Sequence, residues 1–133
     1  MYQTRDSGAT WTGPTTVTDS GPAFTKFHTW LNYSSTGVLG MVWRARTASG
    51  TTAPYAVWAA VSDDGGATFK PPLQVSSQPS PPPAPGTFNG AADDYSNVAV
   101  GADRLWVSWA DWRPGERQAY FGEVKLEAFD HAS

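Results

Sequence analysis

An all-β fold assembled from a repeated unit is what this sequence predicts, and three observations predict it. An octet occurs twice, as Thr4-Arg5-Asp6-Ser7-Gly8-Ala9-Thr10-Trp11 and as Ser62-Asp63-Asp64-Gly65-Gly66-Ala67-Thr68-Phe69. A hydroxyl residue, Asp, Gly and Thr follow one another at two-residue steps and a large aromatic closes the unit: Thr4, Asp6, Gly8, Thr10 and Trp11 against Ser62, Asp64, Gly66, Thr68 and Phe69. Two copies mark a repeat. Thirteen Gly, eleven Pro and 14% aromatics beside only 16% charged residues are the composition of strands joined by many turns. Short β-prone runs also return in the same order after each octet.

The octet itself reads as the turn of a hairpin. Its Asp carboxylate accepts backbone N–H groups, its Gly supplies a positive φ, and its aromatic folds back underneath. After the first copy, Pro14-Thr15-Thr16-Val17-Thr18 predicts an outer strand, and Asp19-Ser20-Gly21-Pro22 a crossing loop. Trp30-Leu31-Asn32-Tyr33, the turn Ser34-Ser35-Thr36-Gly37 and the apolar Val38-Leu39-Gly40-Met41-Val42-Trp43-Arg44 predict two inner strands, the second buried on both faces. A loop of small residues over 48–54 leads to a third strand over 55–61, which delivers the chain into the second octet.

The second pass has Leu73-Gln74-Val75-Ser76, then Ser96 to Val100, a turn at Gly101-Ala102-Asp103, Leu105 to Trp109 and Gln118 to Val124. Matched positions are offset by 58 at Thr4 and Ser62 but by 66 at Trp43 and Trp109. The slack is the Pro-rich stretch 78–86, which cannot pair in a sheet and reads as an extended surface spacer. The chain is thus a single module, with repeat one over 4–61, repeat two over 62–124 and a tail over 125–133. At 133 residues it can bury roughly two thirds of its surface, enough for one domain.

Composition also excludes function classes. A net charge of −3 with nine Lys plus Arg argues against nucleic acid or an anionic membrane as partner. Zero Cys removes a disulfide framework. No apolar run approaches the about 18 residues of a spanning helix, and Met-Tyr-Gln-Thr-Arg has no signal-peptide core. The expectation is a cytoplasmic protein or one whose export signal has been removed.

The octet resembles the Asp-box, S-x-D-x-G-x-T-W/F, of sialidase-like BNR-repeat β-propellers, and the copy at Ser62 matches at every motif position. The resemblance implies four-stranded antiparallel blades with the box on the hairpin between third and fourth strands, where it is structural. This chain then holds about two blades, out of phase: it opens on a box with an outer strand and ends after a third strand. Two blades cannot close a ring. The expectation is a homotrimer forming one six-bladed propeller, with a four-bladed dimer as second choice; the alternative is a stretch of a longer propeller. Family resemblance also implies secretion.

In such a ring, ligands meet the starting ends of the inner strands. Here those are Lys26-Phe27-His28-Thr29-Trp30 and Ala92-Asp93-Asp94-Tyr95-Ser96, matching His28 with Asp94 and Thr29 with Tyr95. Alternating around an axis, His28 and Asp94 would bind a divalent cation or act as an acid/base pair in a hydrolase of another class; no other metal or cofactor is indicated. The resemblance to sialidases makes Tyr95 the candidate nucleophile of an exo-sialidase-like glycoside hydrolase, and a carboxylate-bearing sugar would be gripped by Arg44, Arg46 and Arg113. The Arg-Ile-Pro signature of that family is missing. Among seven Trp, Trp30 and Trp112 are candidates to stack on sugar rings, with Asp93 binding hydroxyls. The three function classes are a glycan-recognising module that hydrolyses a terminal glycosidic bond once assembled, a non-enzymatic lectin-like oligomer, and the His28/Asp94 hydrolase.

Overall fold

Side chains alternate across a strand, so a sheet whose strands are apolar on both faces needs cover on both. The computed structural model describes residues 1–18, 24–83 and 95–132. In it β1 (Lys26–Tyr33), β2 (Leu39–Arg46), β3 (Tyr55–Ser62) and β4 (Leu73–Gln74) form an antiparallel four-stranded sheet in that order. A second antiparallel sheet holds β5 (Ser96–Val100), β6 (Arg104–Asp111) and β7 (Gln118–Lys125). A 3-10 helix over Leu126–His131 follows. No helix among the described residues is long and apolar enough to cross a membrane.

The sheets pack face to face. Val42, Val57, Ala59 and Val61 of the first meet Val98, Leu105, Val107 and Trp109 of the second in one buried cluster, joined by Phe129 from the 3-10 helix. Contact is close because position 40 carries no side chain. A Cβ there would stand 2.6 Å from Val100 Cγ2 and 2.8 Å from Leu105 Cδ1. The opposite face of the first sheet, with Met41, Trp43 and Ala60, is covered by Met1 and Val17 of the N-terminal segment and by Phe69.

Both octets fold into the same turn. Asp6 Oδ1 and Asp64 Oδ1 accept the hydroxyls of Thr4 (2.8 Å) and Ser62 (2.7 Å). The N–H groups of Gly8 and Gly66 donate to those hydroxyls, each at 2.8 Å. Thr10 and Thr68 close the ring from the other side, N–H to Oδ1 at 2.9 Å and hydroxyl to Oδ2 at 2.5 Å in both copies. Gly8 and Gly66 take φ of 91° and 88°, the left-handed region a side chain disfavours. The second octet joins β3 to β4, with Lys70 N–H on Val61 O at 2.9 Å. The first joins Gln3 to Thr12, with Thr12 N–H on Gln3 O at 2.8 Å.

Two expectations are corrected. Residues 14–18 are not a strand: Pro14 has no N–H, and Thr15 N–H is taken by Met1 O. The strand expected over 73–76 stops at Gln74, because Val75 and Ser76 both turn their N–H groups onto Val57 O. After β7, in the 125–133 tail, the chain turns into the 3-10 helix. Phe129 fills the mouth of the inter-sheet core, Asp130 meets Lys70 at 2.6 Å, and Lys70 meets Asp63 at 2.9 Å.

Removing the Phe129 ring opens a cavity at that mouth, so Phe129→Ala should lower unfolding free energy by about 3 to 5 kcal/mol, read from urea denaturation. The octet carboxylates give a pH signature. Hydrogen bonds from Thr10, and then Thr4, hold Asp6 down to about 2, and those from Thr68 and Ser62 hold Asp64 lower still. A carboxylate depressed in the folded state stabilises above its unfolded pKa of about 4 and loses that contribution as pH falls through the folded value. The urea midpoint should therefore fall between about pH 4 and pH 2, and Asp64→Asn should lower it at pH 7 while flattening that acid limb.

Candidate functional site

Antiparallel order brings the start of β1, the end of β2 and the start of β3 to one end of the first sheet, and side chains tie it there to the matching end of the second. Arg44, wholly buried near the end of β2, donates from Nε to Ser96 Oγ at 3.2 Å and from Nη2 to Tyr95 O at 3.3 Å. Its guanidinium lies 4.9 Å from the centroid of the Tyr55 ring. Tyr55 donates its hydroxyl to Ala110 O at 2.7 Å. Arg46 covers the Phe27 ring at 4.7 Å and donates to Ala53 O at 2.6 Å.

The loop after β4 is held to this end by a second tie. Arg113 binds the buried Asp111 carboxylate through Nε (3.1 Å) and Nη2 (2.8 Å), and its backbone N–H donates to the same group at 2.9 Å. It also reaches Ser77 Oγ and Gln78 O, both at 3.2 Å, and lies over the Tyr120 ring at 4.5 Å. Trp109 Nε1 donates to Asp111 at 2.9 Å. Burial pushes the Asp111 carboxyl up, but the Arg113 and Trp109 hydrogen bonds outweigh it and leave it below the usual carboxylate range. Trp112, half-buried, gives its backbone N–H to Ser80 Oγ at 2.9 Å, and Ser80 pairs with Tyr55.

His28 sits in a bulge of β1 with φ 51°, its ring edge-on to Phe27 at 4.9 Å. Asp93 and Asp94 lie outside the described residues. The expected match of Thr29 with Tyr95 does not hold: Leu31 stands opposite Met41 as Val98 stands opposite Val107, already one residue out, and the bulge between Phe27 and Trp30 adds a second, so that Phe27, opposite Arg44, takes the place of Tyr95 next to Ser96 opposite Trp109. Trp30 is half exposed, on the strand face that sends Asn32 Nδ2 to Val98 O at 3.4 Å.

Tyr95 is 84% exposed and shares an open cleft with Ser108, Ala110, Arg117, Gln118 and Ala119. The arginine facing the candidate nucleophile is therefore Arg117, which sequence reasoning passed over. Its signal was topological: it stands between the Pro114-Gly115-Glu116 turn and the start of β7, the strand end that must neighbour the end of β6. Among the described residues no cluster of three or more His, Cys, Asp or Glu is placed to hold a metal. Comparison of the chain with family models, with curated proteins and with solved structures finds no match.

Truncating Arg113 strands a buried carboxylate, which costs about 3 to 5 kcal/mol when a partner is removed. Arg113→Met should show that loss at pH 7 and recover part of it toward pH 4, as Asp111 without its partner protonates more readily. In the parent, the pair stabilises above the unfolded Asp value and weakens as pH falls through the lower folded one. Urea midpoints of both proteins across that range test this.

Proposed function

We propose that the chain is a module of the Asp-box, sialidase-like β-propeller kind, closed by homotrimerisation into six blades with a four-bladed dimer as the alternative, and that it recognises glycans. Support for the architecture comes from two octets with the same hydrogen-bonded turn, one of them between third and fourth strands, on antiparallel sheets that pack face to face. The observation that carries the ligand reading is the exposed Tyr95 in a cleft with Arg117, Gln118 and Ser108. A phenol ring offers a face for sugar C–H groups, while amide, hydroxyl and guanidinium groups bind sugar hydroxyls and acids.

Binding without turnover is the reading the arginines favour. Arg44, Arg46 and Arg113 already spend guanidinium N–H groups on Ser96, Tyr95, Ala53, Asp111, Ser77 and Gln78 within the chain. A carboxylate clamp made of these three would have to break those bonds. Hydrolysis is the second reading, and the exposure of Tyr95 at a strand start favours it; a hydrolase of another class through His28 and Asp94 has no comparable observation behind it.

Titration against a panel of neutral and acidic oligosaccharides tests the proposal. Saturable binding without sugar release is expected, weakened at least tenfold by Tyr95→Ala or Arg117→Ala and retained in Tyr95→Phe, which keeps the ring. Turnover that Tyr95→Phe abolishes would replace binding by hydrolysis, and a panel with no ligand would overturn glycan recognition.

A further inference from the structure

The packing between the two sheets is a template for packing between chains. In the first sheet, β2 and β3 send Val42, Ala59, Val57 and Val61 to the second sheet; call this its forward face. The second sheet receives them on its backward face, with Leu105, Val107 and Trp109. By strand pairing, the counterparts of the forward face on the second sheet are Trp106, Ser108 and Ala110 of β6 with Ala119, Phe121 and Glu123 of β7. The counterparts of the backward face on the first are Leu39, Met41 and Trp43 with Leu31 and Tyr33.

Apart from Trp30, the exposed large hydrophobic residues among the described ones stand on these two flanks or on the hairpin over one of them. Phe121 (66%) and Tyr95 stand on the forward flank of the second sheet, so the cleft of Tyr95, Ser108 and Ala119 lies on this flank as well and in a ring becomes a seam that a second chain borders. Leu31 (45%) and Tyr33 (48%) stand on the backward flank of the first, and Tyr2 and Trp11 belong to the N-terminal hairpin laid over it. That hairpin repeats the internal packing as well. Val17 lies against Met41, Trp43 and Ala60 as Val75 lies against the cluster of Val107 and Trp109. Gln3 and Thr12 pair as Val61 and Lys70 do.

We propose that the forward flank of the second sheet, centred on Phe121, binds the backward flank of the first sheet of a second copy, around Leu31 and Tyr33. This rests on the closed-ring reading above and names its interface. The two flanks are different surfaces, so the contact is head-to-tail and each chain offers one of each; a constant rotation per contact closes a ring. The edge of β7, which no strand among the described residues pairs, then receives residues 12–17 of the docked copy. One contest is built in. Gln3 corresponds to Val61, and Val61 to Glu123, so Met1 to Gln3 of the docked copy claim the ground of the Phe121–Glu123 stretch and must yield.

Light scattering on the full chain and three variants decides it. The parent should be an oligomer of defined mass. Phe121→Glu and Tyr33→Glu, both at exposed positions, should each be monomeric, yet an equal mixture of the two should give a two-chain species, since each still holds one intact flank. Deleting Tyr2 and Gln3 should tighten association at least fivefold. A parent that stays monomeric up to high concentration overturns the ring and this interface together. An oligomer that survives both glutamate substitutions, or single variants whose mixture stays monomeric, overturns the interface and leaves the ring standing. Far-UV circular dichroism with urea midpoints confirms that each variant is folded, and Phe121→Ala with Tyr33→Ala serve in its place where a glutamate variant is not.

Discussion

The missing side chain at position 40 sets the distance between the two sheets, and the rest of the molecule is built to that distance. With Val100 Cγ2 and Leu105 Cδ1 already within 3 Å of where a Cβ would be, any larger residue wedges β2 away from β5 and β6. Only at the present spacing does Arg44 Nε reach Ser96 Oγ and the Tyr55 hydroxyl reach Ala110 O. Those bonds are directional, while the apolar contacts between them are not. Packing therefore brings the sheets together, and the polar ties choose their register. The same end carries Tyr95, so placement of the cleft follows from a glycine at the opposite end of β2.

The interface is layered by chemistry. Its middle is Val, Ala and Leu; one end is closed by Arg44, Tyr55 and the Asp111–Arg113 pair, the other by Phe129. A permanently charged guanidinium is costly inside a protein, and Arg44 is placed where the Ser96 hydroxyl and the Tyr95 carbonyl take its Nε and Nη2 donors. Asp111 is the mirror case, a carboxylate that burial alone would neutralise but which Arg113, Trp109 and a backbone N–H keep charged.

How much of this could be read beforehand depended on range. The octets were legible because their bonds run only from one residue to the second or fourth after it, so the pattern of Thr or Ser, Asp, Gly and Thr contains the whole interaction. Strands at 96–100 and 105–109 were legible from apolar runs between Gly-bearing turns. The fate of 14–18 was not, because a β-prone run becomes a strand only beside a partner edge, and no local residue announces whether one exists. The bulge at His28 likewise carries no Gly or Pro to mark it, and one inserted residue there shifts every match toward Tyr95. Arg113 read as a ligand arginine because its partners Ser77 and Gln78 lie some thirty-five positions away. Arg117 went unnoticed for the converse reason: its neighbour in the cleft, Tyr95, is remote in sequence.

Competition between structure and ligand follows from those ties. A carboxylate arriving at Arg113 would gain a bidentate contact only by displacing Asp111, and Asp111 is wholly buried. The displaced carboxylate would have no water to turn to, so the exchange trades one ion pair for another and adds an uncompensated buried charge. Arg44 is closed to a ligand more simply, since no part of it reaches the surface. Arg117 bears no such burden of burial: it is exposed at the start of β7, beside a phenol that is itself almost entirely in solvent. It lines the Tyr95 cleft from the surface, where an acidic or hydroxylated ligand can reach it without opening the buried ties of Arg44 and Arg113.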